Sequence, residues 1–479
     1  MNEADALRAF PDPRVVPAEE VRAASATSGS RLVVLDDDPT GTQSVADLPV
    51  LTGWGVDDFA SVFATDAPAV YVLTNARSLG EDDARDRNHE VARNALAAAG
   101  AAGVDLEFVS RGDSTLRGHF PLETDSLADA IAASGGAAVD GVVIVPAFPD
   151  AGRVTIGGIH YMRDGADLRP IGETEFARDA TFGYRSSRLA DWVDEKSEGR
   201  YPAGSVIVLD LGVIRSGADA VADAIQDAAD RKPIVCDVVN EDDLRLVSLG
   251  LIEARRRGKT LLLRVGPPFV RARIGSEPRE PLTAPEIFPD GGADRGGLIV
   301  VGSHVAVTTR QLARLRDTLP DVTDIEIDVA RVLDAVDAPA YLRGIADRVV
   351  QELRSGDVVV STTRTVTTAA TADESLEIAR TVSAAVVDVV KEVTARTRPR
   401  FVVAKGGITS SDVAAHGLSM RRATVVGPML PGIVSLWRPA DGPAAGIPYV
   451  VFAGNVGDDD ALAHVVSTLT RTPAPATGR

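Results

Sequence analysis

Short apolar runs recur along the chain, and each ends in a polar or glycine-bearing turn. RLVVLDDD, AVYVLTNAR, LEFVSRGDS and GVVIVPAFP occupy the first third, and SVIVLDL, PIVCDV and KTLLLRVGPP follow. Between several of them lie alanine-rich amphipathic stretches, among them DDARDRNHEVARNALAAAG and LETDSLADAIAASGG. Strand, loop, helix, strand predicts an α/β domain with a mostly parallel sheet. A second series of the same kind starts near residue 298 with GLIVVGSHVAVTTRQLARL. It continues through TDIEID, DVVVSTTR, FVVAKGGITSSDVAAHGL and IPYVVFAGNVGDDDAL. Residues 271–297, RARIGSEPREPLTAPEIFPDGGADRGG, are dense in proline, glycine and charge, which is the composition of a linker. The pattern predicts two α/β domains with mostly parallel sheets, over 30–270 and 298–479, preceded by a tail over 1–29.

In such sheets ligands bind at the carboxyl ends of strands. There the two halves differ. The first four strand ends, DDDPTGTQ, TNARSLG, RGDSTLRG and PAFPDAGR, offer carboxylates and guanidinium groups. The second half offers glycine, serine and threonine instead.

Composition narrows the partners. The formal net charge is −19, which disfavours a nucleic-acid ligand, because phosphate tracking needs a basic footprint. A single cysteine, Cys236, allows no intramolecular disulfide, and the six histidines show no zinc-binding spacing. No uncharged apolar run reaches the ~18 residues that span a bilayer. The N-terminus, MNEADALRAFPDPRVVPAEE, lacks the apolar core of a signal peptide, so a cytoplasmic location is expected. The oligomeric state stays open, with a homo-oligomer among its outcomes.

Asp36, Asp37 and Asp38 stand at the end of a run that should be buried. Burying a carboxylate costs several kcal/mol unless it is paired or hydrogen-bonded. One aspartate there would be ordinary turn chemistry, whereas three point to a ligand site. In SRGDSTLRGH, Asp113 and Ser114 follow a strand, and Arg117 would share a face with Asp113 if a helix starts there. The structural alternative is a capped helix with an internal ion pair. Arg77, in TNARSLG, is a further candidate, and Arg153 and His160 are weaker ones. In the second half AKGGITSSD, VGSHVAVTTRQ, VGPMLPGI and FAGNVGDDD form four glycine-bearing turns, which together suit a nucleotide. RRRGKT at 255–260 is a decoy for a phosphate-binding loop. Glu253 stands where the pattern needs glycine, and a strand follows the stretch instead of preceding it.

From about residue 30 to 465 these motifs resemble the four-carbon acid sugar kinase family: LDDDPTG, DSTLRG, PAFPDAGR, GSHVAVTTRQ, KGGITS and FAGNVG, in that order. The resemblance implies a sugar-acid-binding domain over 30–270, a nucleotide-binding domain over 298–479 and an active site in the cleft between them. The implied reaction is phosphoryl transfer from ATP, with Mg2+, to the terminal hydroxyl of threonate, erythronate or an oxo-tetronate. Asp37, Asp38, Asp113, Ser114 and Arg117 would lie in the substrate site. Ser303, Gly406, Gly407, Ile408, Thr409 and Gly454 would touch ATP. Pro39 and Ile408 depart from the family pattern, and Ile408 removes one group near the phosphates; the metal ligands stay unassigned. Asp38 and Asp113 are the two candidates for the catalytic base, and Arg117, backed by Arg77, for gripping the substrate carboxylate. Closure about 271–297 would bring the ligands together. Two alternatives remain: a sugar-acid sensor without turnover, and a magnesium-dependent lyase or hydrolase.

Overall fold

The structure, a computed structural model, describes residues 1–334, 336–364 and 372–470, and of 372–377 and 379 only the backbone. The chain divides into two compact units, Met1–Pro49 with Trp54–Pro278, and Val50–Gly53 with Arg279–Arg479. Strand Leu48–Leu51 (β2) straddles that division.

Unit 1 is built on parallel strands β1 (Ser30–Asp36), β3 (Ala69–Leu73), β4 (Asp105–Arg111), β5 (Gly141–Val145), β9 (Ile207–Leu209), β10 (Lys232–Cys236) and β11 (Leu261–Val265). Their order is β3-β1-β4-β11-β5-β10-β9. Valine, leucine and isoleucine dominate β1, β3 and β5, which are buried on both faces, as crossover helices on each side require. Helix Glu81–Ala102 shows how the alternation works. Three acids open its first turn, where the dipole favours negative charge, and Gly103 ends it in the left-handed region. Ala84, Val91, Ala95, Ala98 and Ala99 recur on its buried side. A separate antiparallel sheet of β6 (Arg153–Ile156), β7 (Ile159–Asp164) and β8 (Asp167–Pro170) belongs to the same unit.

Unit 2 has parallel strands β12 (Leu298–Val301), β13 (Thr323–Ile327), β14 (Val358–Thr362), β15 (Val402–Lys405) and β18 (Tyr449–Phe452), in the order β13-β14-β12-β15-β18. The hairpin β16 (Arg422–Leu430) and β17 (Val434–Pro439) continues it, with β17 antiparallel to β18. The α/β expectation, with mostly parallel sheets in two units, therefore holds.

Both sheets reverse their winding at one strand. β1 has β3 on one side and β4 on the other, and β12 lies between β14 and β15. Such switch points open crevices at the strands' carboxyl ends.

Three local expectations need correcting. Residues 1–29, set apart as a tail, form helices Glu3–Leu7 and Ala18–Ser28 within unit 1. Val16 and Val21 are buried, and Ser25 Oγ donates to the Arg273 carbonyl at 2.8 Å. Residues 271–297 have linker composition, yet Arg271 and Arg273 end the buried helix Pro268–Arg273. Ile287 and Phe288 lie in the unit 2 core, and the division between units falls after Pro278. Hydrophobic anchoring at both ends overrides the polar average. Finally, DSTLRG starts no helix: residues 112–121 form an irregular loop, with Leu116 at φ 68° and Gly118 at φ 120°.

Candidate functional site

In unit 1, parallel register sets Asp36, the last residue of β1, beside Arg111, the last residue of β4. The Arg111 guanidinium pairs with Asp36, donates to the Asp38 carbonyl and reaches 3.4 Å from Asp37 Oδ1. Burial pushes the Asp36 carboxyl up to about 7 against the pull of Arg111. Asp36 is thus spent on Arg111, as part of the foundation.

Asp37 and Asp38 turn toward Arg77, which follows β3. Its Nη2 lies 3.1 Å from Asp37 Oδ1 and 3.2 Å from Asp38 Oδ2, and its Nη1 lies 3.8 Å from Asp113 Oδ2. Asp38 Oδ1 also caps the turn Pro39–Ser44 by accepting from the Thr40 amide at 2.9 Å. Burial would raise the Asp38 carboxyl, but Arg77 and Arg111 outweigh it and hold it below the usual range. The same contest places Asp113 well below that range, with Arg77 and Arg117 prevailing over burial. Arg117 Nε donates to Asp113 Oδ2 at 2.7 Å, so the ion pair of the structural alternative forms, though no helix carries it. The positive φ values at Leu116 and Gly118 fold the loop back on itself. Thr115 Oγ1 takes the same oxygen, and Asp113 Oδ1 has no hydrogen-bond partner among the described residues.

Ser114 is buried, and its carbonyl accepts from His160 Nε2 at 2.8 Å. The other ring nitrogen meets Thr155 Oγ1 at 2.9 Å. Burial draws this imidazole down to about 4, so His160 is a neutral brace for the 113–117 loop. Arg153 lies near Phe176, whose ring is 5.2 Å from the Arg117 guanidinium carbon and 6.0 Å from that of Arg153.

Sequence reasoning missed Arg111, Arg264 and Glu123. Arg264 Nη1 donates to Ser110 Oγ at 2.7 Å and to Glu123 at 2.5 Å, beneath Gly112 and Gly118. Burial raises Glu123 to about 7 despite Arg264. The signal was a lone cation inside an apolar run, LLLRV, which periodicity alone passes over.

Within this network a few buried polar atoms lack partners among the described residues: Asp37 Oδ2, Asn75 Oδ1, Arg77 Nε and Arg153 Nε. Native interiors satisfy nearly all such groups, so a cluster of exceptions needs an explanation.

In unit 2 three glycine turns pack on one another at the carboxyl ends of β12, β15 and β18. The amides of Gly302 and Ser303 donate to the Lys405 carbonyl at 3.2 and 3.3 Å. Thr308 Oγ1 donates to the Gly454 carbonyl at 2.7 Å. A Cβ at Gly302 would lie 2.2 Å from Thr409 Oγ1, and one at Gly454 2.4 Å from Ser303 Oγ, so a side chain at either position would displace the facing hydroxyl. Ser303, Gly406, Gly407, Thr409 and Gly454 are thereby brought together. Helix Gly407–Asp412 opens at the second glycine, and Ile408 is 62 % exposed beside it. The fourth expected turn, 426–433, closes the β16–β17 hairpin and opens no helix, although Val434 pairs with Phe452 on the same rim.

Lys405 was also missed. It is fully buried, and its Nζ donates to the Ala453 carbonyl at 2.7 Å and sits 3.7 Å from the Phe452 ring centre. Burial lowers it to about 7, and no carboxylate faces it among the described residues. Nor do the described residues hold a cluster of three or more metal-ligating side chains.

Comparisons with known proteins agree with this division. A sugar-binding N-terminal domain model matches residues 32–273, and a nucleotide-binding C-terminal domain model matches 298–462. The chain is 28% identical over 296 residues to D-erythronate kinase of Heliobacterium modesticaldum, covering 59% of this chain and 60% of that protein. It is 33% identical over 159 residues to D-threonate kinase of Bordetella bronchiseptica, covering 32% and 36%. The matches thus span less than two thirds of either relative. Among solved structures, a Salmonella typhimurium LT2 protein provisionally named a tRNA synthase superposes with TM-score 0.65 at 18% identity, over 91% of this chain and 98% of that one. Haemophilus influenzae protein HI1011 gives 0.61 at 18%, over 91% and 100%. At that identity these two speak for the fold alone. No described helix is long and apolar enough to cross a membrane. With both domain models matched in order along it, the chain belongs to the four-carbon acid sugar kinase family.

Proposed function

We propose that the protein transfers the γ-phosphoryl group of ATP to the terminal hydroxyl of a four-carbon sugar acid of the threonate or erythronate type. The observation that carries this reading is the set of unpartnered buried atoms in unit 1. Asp37 Oδ2 and Asn75 Oδ1 accept, and Arg77 Nε and Arg153 Nε donate. A polyhydroxy carboxylate supplies hydroxyls for the acceptors and carboxylate oxygens for the donors. The kinase names of the two relatives point to the same substrate class.

Asp113 serves as the base in this mechanism. Its Oδ1 is free to accept the hydroxyl proton, whereas both oxygens of Asp38 are engaged. The low proton affinity that Arg77 and Arg117 impose on Asp113 is tolerable, because a loose phosphoryl-transfer transition state asks more of positioning than of basicity. Asp38 holds Arg77 in place, and Arg117, with Arg153 across the Phe176 ring, grips the substrate carboxylate. Ser114 orients the loop through its carbonyl.

In unit 2 the turns at Ser303, 406–409 and Gly454 cradle the phosphates, and Lys405 supplies the positive charge beneath them. Magnesium arrives with the nucleotide, since Mg2+ commonly keeps its waters and binds through substrate phosphates. Lys405 adds a pH signature: an anionic ligand favours the ammonium form, so nucleotide affinity falls as pH rises above about 7.

The test is an ADP-release screen across four-carbon sugar acids with ATP and Mg2+. Turnover with at least one of them is expected. Silence across the panel, with sugar-acid binding retained, would replace the kinase by a binding protein.

A further inference from the structure

Seven arginines are buried among the described residues. Six of them meet a carboxylate: Arg111 with Asp36, Arg215 with Asp243, Arg245 with Glu277, Arg264 with Glu123, Arg271 with Glu241 and Arg273 with Glu107. The seventh, Arg400 in unit 2, meets none among the described residues. Its Nε donates to the Leu469 carbonyl at 3.1 Å, and its Nη1 donates to those of Gly291 and Ala293 at 3.0 and 3.1 Å. Its Nη2 is buried without a hydrogen-bond partner among the described residues. Leaving a buried cation without a counterion costs several kcal/mol, so a missing anion is implied.

Arg400 lines a cavity of about 190 Å³, and two further arginines share the wall. Arg398 donates to the Ala445 carbonyl, and Arg438 donates to those of Gly446 and Ile287 at 3.2 and 2.8 Å. Neither forms an ion pair among the described residues. The one acid on the wall, Asp290, is exposed at the rim and pairs with none of the three. The carbonyl bonds and the Phe288 ring, 4.2 Å from the Arg400 guanidinium carbon, hold the cations in place without neutralising them.

The cavity is not the nucleotide cradle. Arg400 precedes β15, Pro448 precedes β18, and Arg438 lies near the end of antiparallel β17, where Trp437 pairs with Tyr449. All three mark the amino ends of the parallel strands, whereas Gly406 and Gly454 follow their carboxyl ends.

We propose that this cavity is a second anion site, which takes a phosphate group, either free or as the monoester of a small metabolite. Three guanidinium groups, Arg398 and Arg400 from the segment before β15 and Arg438 from β17, suit a tetrahedral oxyanion with several acceptor edges better than a planar carboxylate.

The test is thermal unfolding of the full chain in saturating ADP with Mg2+, so that the cradle is filled, at constant ionic strength. Inorganic phosphate, glycerol phosphate and acetate are titrated in turn. A saturable rise in Tm with phosphate or its monoester is expected, and the more potent of the two identifies the source. Arg398→Gln changes an exposed side chain and leaves the fold intact, and it should weaken that effect about tenfold, the loss of one charge-assisted contact. Arg400→Gln should abolish the effect if the variant folds. An equal effect in Arg398→Gln, an equal effect of acetate, or no effect in the unmodified protein overturns the proposal. The readout needs no catalysis, so it stands or falls separately from the kinase reading.

Discussion

The two units treat buried cations in opposite ways. In unit 1 Arg111 and Arg264 each sit against a carboxylate, and the paired charges leave a few acceptors and donors over. In unit 2 Lys405 is as deeply buried, yet it faces two carbonyls and an aromatic ring. The first arrangement is locally neutralised and directional, which suits a small polyhydroxy acid held by individual hydrogen bonds. The second carries uncompensated positive charge under close-packed glycine turns, which suits a polyanion. Net charge conceals this difference, because the chain as a whole is acidic at −19.

The sharpest way to break the comparison is to remove a unit 1 carboxylate and ask whether unit 2 notices. Asp113→Asn should lower kcat roughly 10²- to 10⁴-fold, the usual worth of a general base, with ADP affinity unchanged by calorimetry. Asp38→Asn should cost less. Equal losses in the two would remove the ranking.

The His160 brace gives the next largest effect. Its folded-state value of about 4 lies below the unfolded ~6.5, so the unfolded chain binds the extra proton between those values. Stability from this group is present above pH 6.5 and lost as pH falls toward 4, by about 3 kcal/mol. Asp36 and Glu123 titrate with the opposite sign, since their values are raised. The readout is therefore the difference between the unmodified protein and His160→Gln in urea unfolding across pH 4–7. A constant difference would show that the ring does not titrate on unfolding.

Lys405→Met probes the other unit. ADP affinity at pH 6 should drop about tenfold, and its decline above pH 7 should flatten. Sugar-acid affinity should not move. A retained pH slope would assign the effect elsewhere. The smallest change is expected from Gly454→Ala, whose Cβ would crowd Ser303 Oγ. It should cost about 1 kcal/mol of stability and weaken ADP modestly, as measured by thermal unfolding and calorimetry.

Much of this was legible in the sequence, for identifiable reasons. The apolar runs placed the strands because buried parallel strands leave little choice of residue. Strand ends carry chemistry in such sheets, so Asp37, Asp38, Asp113 and the glycine turns stood out. The Asp113–Arg117 pair was weighed only as the alternative of a capped helix, and it forms on a loop instead, since positive φ at Leu116 cannot be read from LRG alone. Arg111, Arg264 and Lys405 escaped notice because a lone charge at a strand end or inside an apolar run announces no partner. Arg264 is matched by Glu123 from 141 positions away. The 271–297 stretch misled through its average composition, which hid the anchors Ile287 and Phe288.

The central claim is that an acid-binding unit and a nucleotide-binding unit cooperate in phosphoryl transfer. The most direct measurement is product analysis by ³¹P-detected NMR after incubation with ATP, Mg2+ and D-erythronate or D-threonate. The account predicts a phosphate monoester coupled to the terminal CH2 protons of one of these acids, formed in step with ADP and absent in Asp113→Asn. ADP accompanied only by inorganic phosphate, or ester formation undiminished in Asp113→Asn, would contradict it.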